Sequence, residues 1–395
     1  MTNSGKPIEE AVRAVTDPGL FHNIGDLGSL RSVTKRGGTT QVVIATPAGG
    51  HPAPDELETK VSEAVIRAGA ASATVEFVDM TEAEEADLVQ RLRQLASYPA
   101  SSHPGGESPH SHASGSDGRL DEAGAESARV NQFADKASRT RVIAIASGKG
   151  GVGKSTVAVN LSVCLARQGA SVGLLDADVY GFSVPAMLGI ERPPKVIGEL
   201  LIPPVAHGVR CISMGFFVPE GQAVMWRGPM LHTALEQFLV DVHWGKPDYL
   251  VLDLPPGTGD VAMSIAQFVP RAEVIVVTTP QASAETVAQR AAVLARQLKL
   301  PVRGVVENQS WFTGDDGKRY ELFGHGGGEL LAKSLGVALL ARIPFLPALR
   351  EGGDAGAPVT ASDPGGEAAQ AFEALAEHVA ALGPVRVYRA ELNVN

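Results

Sequence analysis

The clearest chemistry in the chain lies in Ser147-Gly148-Lys149-Gly150-Gly151-Val152-Gly153-Lys154-Ser155-Thr156. Glycines at this density let successive backbone N–H groups turn inward and cup phosphate oxygens. An apolar, strand-like run precedes the stretch and a helical pattern follows it, so a helix N-terminus adds its partial positive charge. In such a loop Lys154 reaches the β- and γ-phosphates, the Ser155 hydroxyl ligates Mg²⁺ and Thr156 bonds the α-phosphate. The expectation for residues 148–156 is a loop that holds ATP with Mg²⁺.

Three carboxylates and an amide fit the same chemistry. Asp176 and Asp178 end the run Leu174-Leu175, and strand C-termini are where ligands sit in α/β sheets. Asp178 is expected to orient the attacking water, and Asp176 to lie in the outer shell of the metal. Asp253 follows the apolar run Tyr249–Leu252, the Walker B arrangement of a strand-end carboxylate facing Mg²⁺. The segment Asp253-Leu-Pro-Pro-Gly257-Thr258-Gly259-Asp260 reads as a switch loop. Gly257 there could offer its N–H to the γ-phosphate and move when that phosphate leaves. Asn308 ends the run Gly304–Glu307, and its amide can both donate to and accept from an adenine edge.

Positioning these groups takes alternating strands and helices. Apolar runs fall at Val142–Ala146, Val172–Leu175, Val209–Ser213, Tyr249–Leu252, Val274–Thr278, Gly304–Val306 and Val337–Ile343, with helical patterns between most of them. That alternation predicts an α/β domain over residues 141–385, a mostly parallel sheet with helices on both faces. Ahead of it, residues 6–97 read as a small α+β unit. Strands at Leu27–Lys35 and Thr39–Thr46 meet at Gly37-Gly38, a helix spans Pro54–Ala68, and Thr81 with Glu84 forms a capping box. Residues 98–140 are rich in Ser, Gly, Pro and His and poor in large apolar groups, which predicts a flexible linker. His103, His110 and His112 read as solvated linker residues.

Composition narrows the function classes. The chain has 395 residues, enough for two domains, and a net charge of -10, which argues against a broad nucleic-acid surface. No apolar run is long enough to span a bilayer, and Met1–Glu10 holds no signal-peptide core, so the expected location is the cytoplasm. The last helical pattern, from Glu367 to Leu382, has no basic face suited to a membrane.

Lys149 is more than a phosphate loop requires. Lys149-Gly-Gly-Val-Gly-Lys154 resembles the deviant Walker A motif of the MinD/ParA/Mrp/nitrogenase-iron-protein class. The resemblance implies that Lys149 crosses to the nucleotide of a partner subunit in an ATP-sandwich homodimer. It makes Lys149, Lys154 and Asp178 the catalytic candidates and puts Asn308 at the base. Over about residues 141–382 the chain is similar to the Mrp-type (ApbC-like) iron–sulfur cluster carrier ATPases. Trp226-Arg-Gly-Pro-Met230, Val305–Ser310 and Leu322-Phe-Gly-His-Gly-Gly-Gly-Glu329 set it apart from MinD and ParA. The N-terminal unit resembles the MIP18-like domain often fused in front of these ATPases. The implied partners are a second copy of the chain and apo iron–sulfur client proteins.

One stretch departs from that pattern. The resemblance leads one to expect a CxxC pair shortly after Asn308, bridging a [4Fe–4S] cluster between two subunits. Here Trp311-Phe-Thr-Gly-Asp-Asp-Gly-Lys-Arg-Tyr320 holds no cysteine, and Asp315 and Asp316 are hard oxygen ligands. Gly49-Gly50-His51-Pro52 stands where relatives often carry another cysteine. The two cysteines present, Cys164 and Cys211, read as core residues. The main expectation is an ATP-hydrolysing cluster carrier with atypical cluster ligands. The alternatives are a MinD/ParA-like nucleotide switch acting in positioning or regulation without a cluster, and a nucleotide-gated binding protein.

Overall fold

The computed structural model describes residues 6–36, 38–96, 131–218, 228–257, 259–383 and 385. The N-terminal unit contains α1 (Lys6–Arg13), α2 (Ile24–Leu27), β1 (Leu30–Arg36), β2 (Thr39–Thr46), α3 (Pro54–Arg67), β3 (Ser72–Asp79) and α4 (Glu82–Ala96). β1 pairs antiparallel with β2 and β3 parallel to it, the parallel return being made through α3. Leu57, Val61 and Val65 of α3 close over Val42 and Ile44 of β2. Thr81 caps α4 reciprocally: its backbone N–H donates to Glu84 Oε2 at 2.9 Å, and Glu84 N donates to Thr81 Oγ1 at 3.4 Å. Gly37, half of the expected hairpin turn, lies outside the described residues.

The larger domain runs β4 (Arg141–Ser147), α5 (Lys154–Arg167), β5 (Val172–Asp176), α6 (Val184–Met187), β6 (Lys195–Ile197), β7 (Leu200–Ile202), β8 (Val205–Ala206) and β9 (Val209–Ser213). It continues with α7 (Gly228–Val240), β10 (Tyr249–Asp253), α8 (Asp260–Phe268), β11 (Glu273–Thr278), α9 (Ala282–Gln297), β12 (Val302–Glu307), β13 (Phe312–Thr313) and β14 (Arg319–Tyr320). It ends with α10 (Gly327–Leu335), β15 (Ala338–Arg342), α11 (Pro347–Asp354), α12 (Val359–Ser362) and α13 (Glu367–Ala380).

Eight strands form one sheet in the order β15-β12-β11-β4-β10-β5-β9-β8, parallel except for β8. Each apolar run expected to be a strand is one. The runs are continuous because both faces are covered. In β4, Ile143 and Ile145 face a core closed by Leu161 of α5 and Phe372 of α13. Ala144 and Ala146 face the other core, with Leu235 of α7 and Ile265 of α8. β4 lies between β11 and β10, so the loop after it opens at the carboxyl edge of the sheet.

Two features differ from the sequence expectation. Residues 131–140 pack on the domain and are not part of a flexible linker. Phe133 is 2% exposed, with its ring 6.5 Å from Trp244. Asn131 donates to Phe268 O, and Arg271 donates to the carbonyls of Asp135, Lys136 and Ser138. One buried aromatic and a few backbone bonds anchor a segment whose overall composition suggests none. Residues 97–130, with His103, His110 and His112, lie outside the described residues.

The second feature is the β6–β7 hairpin, which turns through Gly198 at φ 57° and was not expected. Ile197, Leu200 and Ile202 share a core with Leu20, Leu27, Leu88 and Leu92 of the N-terminal unit. Lys195 Nζ donates to the carbonyls of Gly49, Gly50 and His51 at 2.9–3.2 Å. The Arg210 guanidinium lies 3.7 Å from the Phe21 ring centroid, and His243 Nε2 bonds Leu20 O at 3.1 Å. The two domains therefore share buried surface. Inside the docked loop, His51 Nε2 lies 2.8 Å from Asp17 Oδ2, and its Nδ1 accepts from Ala53 N.

Candidate nucleotide-binding site

The glycine-rich loop spans the gap between β4 and α5. Gly151 and Gly153 adopt φ of 78° and 80°, which favours glycine. Gly153 is needed on a second count, since a Cβ there would meet Asn308 Nδ2 at 2.1 Å. α5 begins at Lys154, so its free N–H groups point into the loop. The cavity over the loop holds about 250 Å³ and is bordered by Lys149, Lys154, Ser155, Thr156, Asp178 and Pro256.

Beneath it lies a buried charge cluster. The β5–β10 register sets Asp176 directly beside Asp253. Lys154 Nζ contacts Asp253 Oδ1 at 2.5 Å, with the two side chains 6% and 1% exposed. Asp253 Oδ2 is buried without a partner. Asp176 accepts from Asp178 N, Val184 N and Ser213 Oγ at 3.1, 3.4 and 2.9 Å. Burial first, and then the adjacent Asp253 charge, push the Asp176 carboxyl up to about 7, against those hydrogen bonds and Lys154. Burial also raises Asp253, with Lys154 opposing the rise. Two carboxylates and one ammonium packed this closely form an under-neutralised site. The unpartnered Asp253 oxygen and the nearby Ser155 hydroxyl are hard donors that fit Mg²⁺.

The remaining candidates divide. Asp178 is 8% exposed, borders the cavity and accepts from Gly181 N at 3.0 Å, which fixes its carboxylate near the loop. Lys149 Nζ rests 3.3 Å from Gln281 Oε1, ahead of α9, within its own subunit. Both oxygens of Asp176 accept protein donors, and Asp176 is not among the residues that border the cavity. Gly257 departs from expectation: its N–H is spent on Ser147 O at 2.9 Å, because the chain after β10 runs on beside the end of β4. In this conformation it is not available to a phosphate. Thr258 and Trp226-Arg227 lie outside the described residues.

Asn308 borders a second cavity, which meets the first along Gly153, Thr156, Ser183 and Met187. Its Nδ2 donates to Val152 O at 2.8 Å, while its Oδ1 is buried and unpartnered. This second cavity is a cleft of about 540 Å³ bordered by Thr156, Met187, Phe345, Leu346, Leu349 and Arg350. An apolar slot ending in an unpaired amide oxygen suits a flat base carrying an amino group. Sequence reasoning did not single out residues 344–354. Pro344-Phe345-Leu346-Pro347 directly after a strand was the available signal, since such ends are where ligands bind.

Among the described residues, cluster chemistry finds no matching donors. Cys164 of α5 and Cys211 of β9 are both buried in the core between that helix and the sheet. Burial pushes the Cys164 thiol up to about 12 and the Cys211 thiol well above its usual value, whereas metal ligation requires thiolates. No group of three or more His, Cys, Asp or Glu among the described residues could hold a metal ion. Nor is any described helix long and apolar enough to cross a membrane.

Comparison with known proteins agrees with this geometry. Residues 138–380 match the family model described as NUBPL iron-transfer P-loop NTPase, within the ParA group. An iron–sulfur cluster carrier protein of Mycobacterium bovis is 42% identical over 365 residues, covering 90% of this chain and 88% of the relative. One from Bacillus subtilis is 53% identical over 204 residues, 51% of this chain and 58% of that one. Among solved structures, a nucleotide-binding protein of Archaeoglobus fulgidus in complex with ADP is 36% identical at a TM-score of 0.49, covering 55% of this chain and 86% of that one. With a phosphate loop set over a lysine–carboxylate cluster, a family model matched over residues 138–380 and a relative at this identity matched over 88% of its length, the chain belongs to the iron–sulfur cluster carrier family of P-loop NTPases.

Proposed function

We propose that the protein hydrolyses ATP at its β–γ bond and couples that cycle to the carriage of iron–sulfur clusters to apo client proteins. The carrying observation is the Lys154–Asp253–Asp176 cluster under the glycine loop, with its unpartnered Asp253 oxygen. In this reading the loop amides of residues 148–153 and the α5 N-terminus receive the phosphates, with Thr156 at the α-phosphate. Lys154 leaves Asp253 for the β- and γ-oxygens. Ser155 and Asp253 hold Mg²⁺, which neutralises phosphate charge when bound, and Asp176 keeps Asp253 in place. Asp178 orients the attacking water, and Asn308 reads the base from the adjoining cleft. Lys149 exchanges Gln281 for the partner subunit's nucleotide, so turnover needs a homodimer. Gly257 reaches the γ-phosphate only after its bond to Ser147 breaks, which makes it a sensor of nucleotide state. The cytoplasm is the proposed location, and neither membrane nor nucleic acid is a proposed partner.

The relatives' shared name supports cluster carriage, and no described feature favours a MinD/ParA-like positioning role. The buried stripe Phe372, Leu375, Ala376 and Val379 places the last described helix on the sheet. The test is transfer of a [4Fe–4S] cluster from a loaded donor protein to an apo client, followed by the client's activity. MgATP should accelerate transfer in the wild type and not in Lys154→Ala. Equal rates with and without ATP would refute the coupling.

A further inference from the structure

The β13–β14 hairpin occupies the stretch where paired cysteines were expected, and it is built around a carboxylate. Phe312 pairs with Tyr320 and Thr313 with Arg319. Glu367, the first residue of α13, receives Trp311 Nε1 at 2.9 Å, Thr313 Oγ1 at 2.7 Å and Arg319 Nη2 at 2.9 Å. The Arg319 guanidinium also lies 4.2 Å from the Trp311 ring centroid. At the tip, Gly314 N donates to Lys318 O at 2.9 Å, and Asp316 accepts from Tyr320 Oη at 2.8 Å and Lys318 N at 3.0 Å. Phe345 N donates to Trp311 O at 2.6 Å, joining the hairpin to the wall of the base cleft.

Glu367 and Asp316 are therefore already engaged by protein donors. Burial would raise the Glu367 carboxyl, but the bonds from Thr313, Trp311 and Arg319 outweigh it and hold the group below its usual value. A carboxylate bound by three donors is a closed hub, and two hard oxygens at Asp315 and Asp316 do not replace thiolates. The two thiols of the chain lie in another layer of the fold, inside the core between α5 and the sheet.

We infer that neither cysteine of this chain and none of its described residues ligates the cluster it handles: the thiolates come from a second, thiol-bearing protein, and the hairpin of residues 312–320 keeps its shape through Glu367 without metal. This rests on the carrier reading above. The cluster then passes between cysteines of donor and client by thiolate exchange, each incoming thiolate replacing one outgoing thiolate with no change in oxidation state. The ATPase contributes docking and timing.

The test uses the full chain, reconstituted anaerobically with ferrous iron and sulfide beside a cluster-binding donor protein as positive control. Iron and sulfide in the chain alone should stay at background, with no thiolate-to-iron absorption in the visible. Stoichiometric iron with that absorption would overturn the inference. The thermal midpoint should be unchanged by an iron chelator and lowered by Glu367→Ala. A chelator-sensitive midpoint together with an indifferent Glu367→Ala would also overturn it. Third, a Cys164→Ala/Cys211→Ala variant that retains the wild-type fold by circular dichroism should transfer cluster from donor to client within twofold of the wild-type rate. Loss of transfer in that folded variant would overturn the inference. If the wild type transfers nothing, with or without ATP, the carrier reading fails, while the iron content of the chain alone still decides the question of ligands.

Discussion

Replacing Asp253 by Asn should tighten ATP binding when magnesium is absent and abolish the benefit of magnesium when it is present. The sign follows from the resting geometry. Lys154 Nζ sits 2.5 Å from Asp253 Oδ1, with both side chains nearly out of solvent. A phosphate must take the lysine from that carboxylate, and it meets the carboxylate's own negative charge as it does so. A hydrogen bond to a charged group contributes about 1.5–3 kcal/mol net. Asn remains an acceptor, so the smaller part of that range applies, and about 1.4 kcal/mol corresponds to tenfold. Asp253→Asn should thus bind ATP in EDTA about tenfold more tightly than the wild type. Adding Mg²⁺ should strengthen ATP binding in the wild type and leave the variant nearly unchanged, with phosphate release falling to background. Isothermal titration of ATP in EDTA and then in MgCl₂ reads both limbs. Weaker binding by the variant in EDTA would refute the competition between carboxylate and phosphate.

Gly153→Ala must carry a side chain at φ 80° and push Asn308 aside. The backbone alone costs about 1–2 kcal/mol, so both the thermal midpoint and ATP affinity should drop, and a variant matching wild type in both would contradict the close approach. Lys149→Ala should retain most ATP affinity in titration while losing turnover and ATP-driven dimerisation by light scattering; normal turnover would rule out a lysine acting in trans. Stability should also depend on pH through the domain interface. Burial, and then the charges of His22 and Arg210, lower His243 to about 3 against its bond to Leu20. The folded form thus binds fewer protons than the unfolded chain. The contribution is complete above pH 6.5 and is lost as pH falls toward 3, at about 1.4 kcal/mol per unit. Urea unfolding at pH 7.5 and 5.0 should show a smaller drop for His243→Gln than for the wild type.

The parallel sheet was legible because burial on both faces writes each strand as an unbroken apolar run, as in Val142–Ala146. The phosphate loop was legible because its conformation admits few residue types. Asp253 and Asp178 could be located because the ends of parallel strands are where ligands bind. The conformation of the site was not legible. Nothing local to Gly257 shows that its N–H is spent on Ser147, and nothing local to Lys149 shows that it rests on Gln281, since both bonds join distant segments. The β6–β7 hairpin escaped notice because each strand has only three residues, too few for a period, although Gly198 between apolar runs was a turn signal. Its burial depends on a partner surface more than 100 residues away in sequence. The same holds for Phe133, whose anchoring role exists only once Trp244 is in place, and for Glu367, which completes the β13–β14 hairpin from another element.

Phosphate release from MgATP by purified wild type and Lys154→Ala, at equal concentration and above the dimerisation range, tests the ATPase reading most directly. Steady release by the wild type and none by Lys154→Ala is the expected result. Release at the same rate from both proteins, or from neither, would contradict a site in which Lys154 leaves a buried carboxylate to neutralise the phosphates.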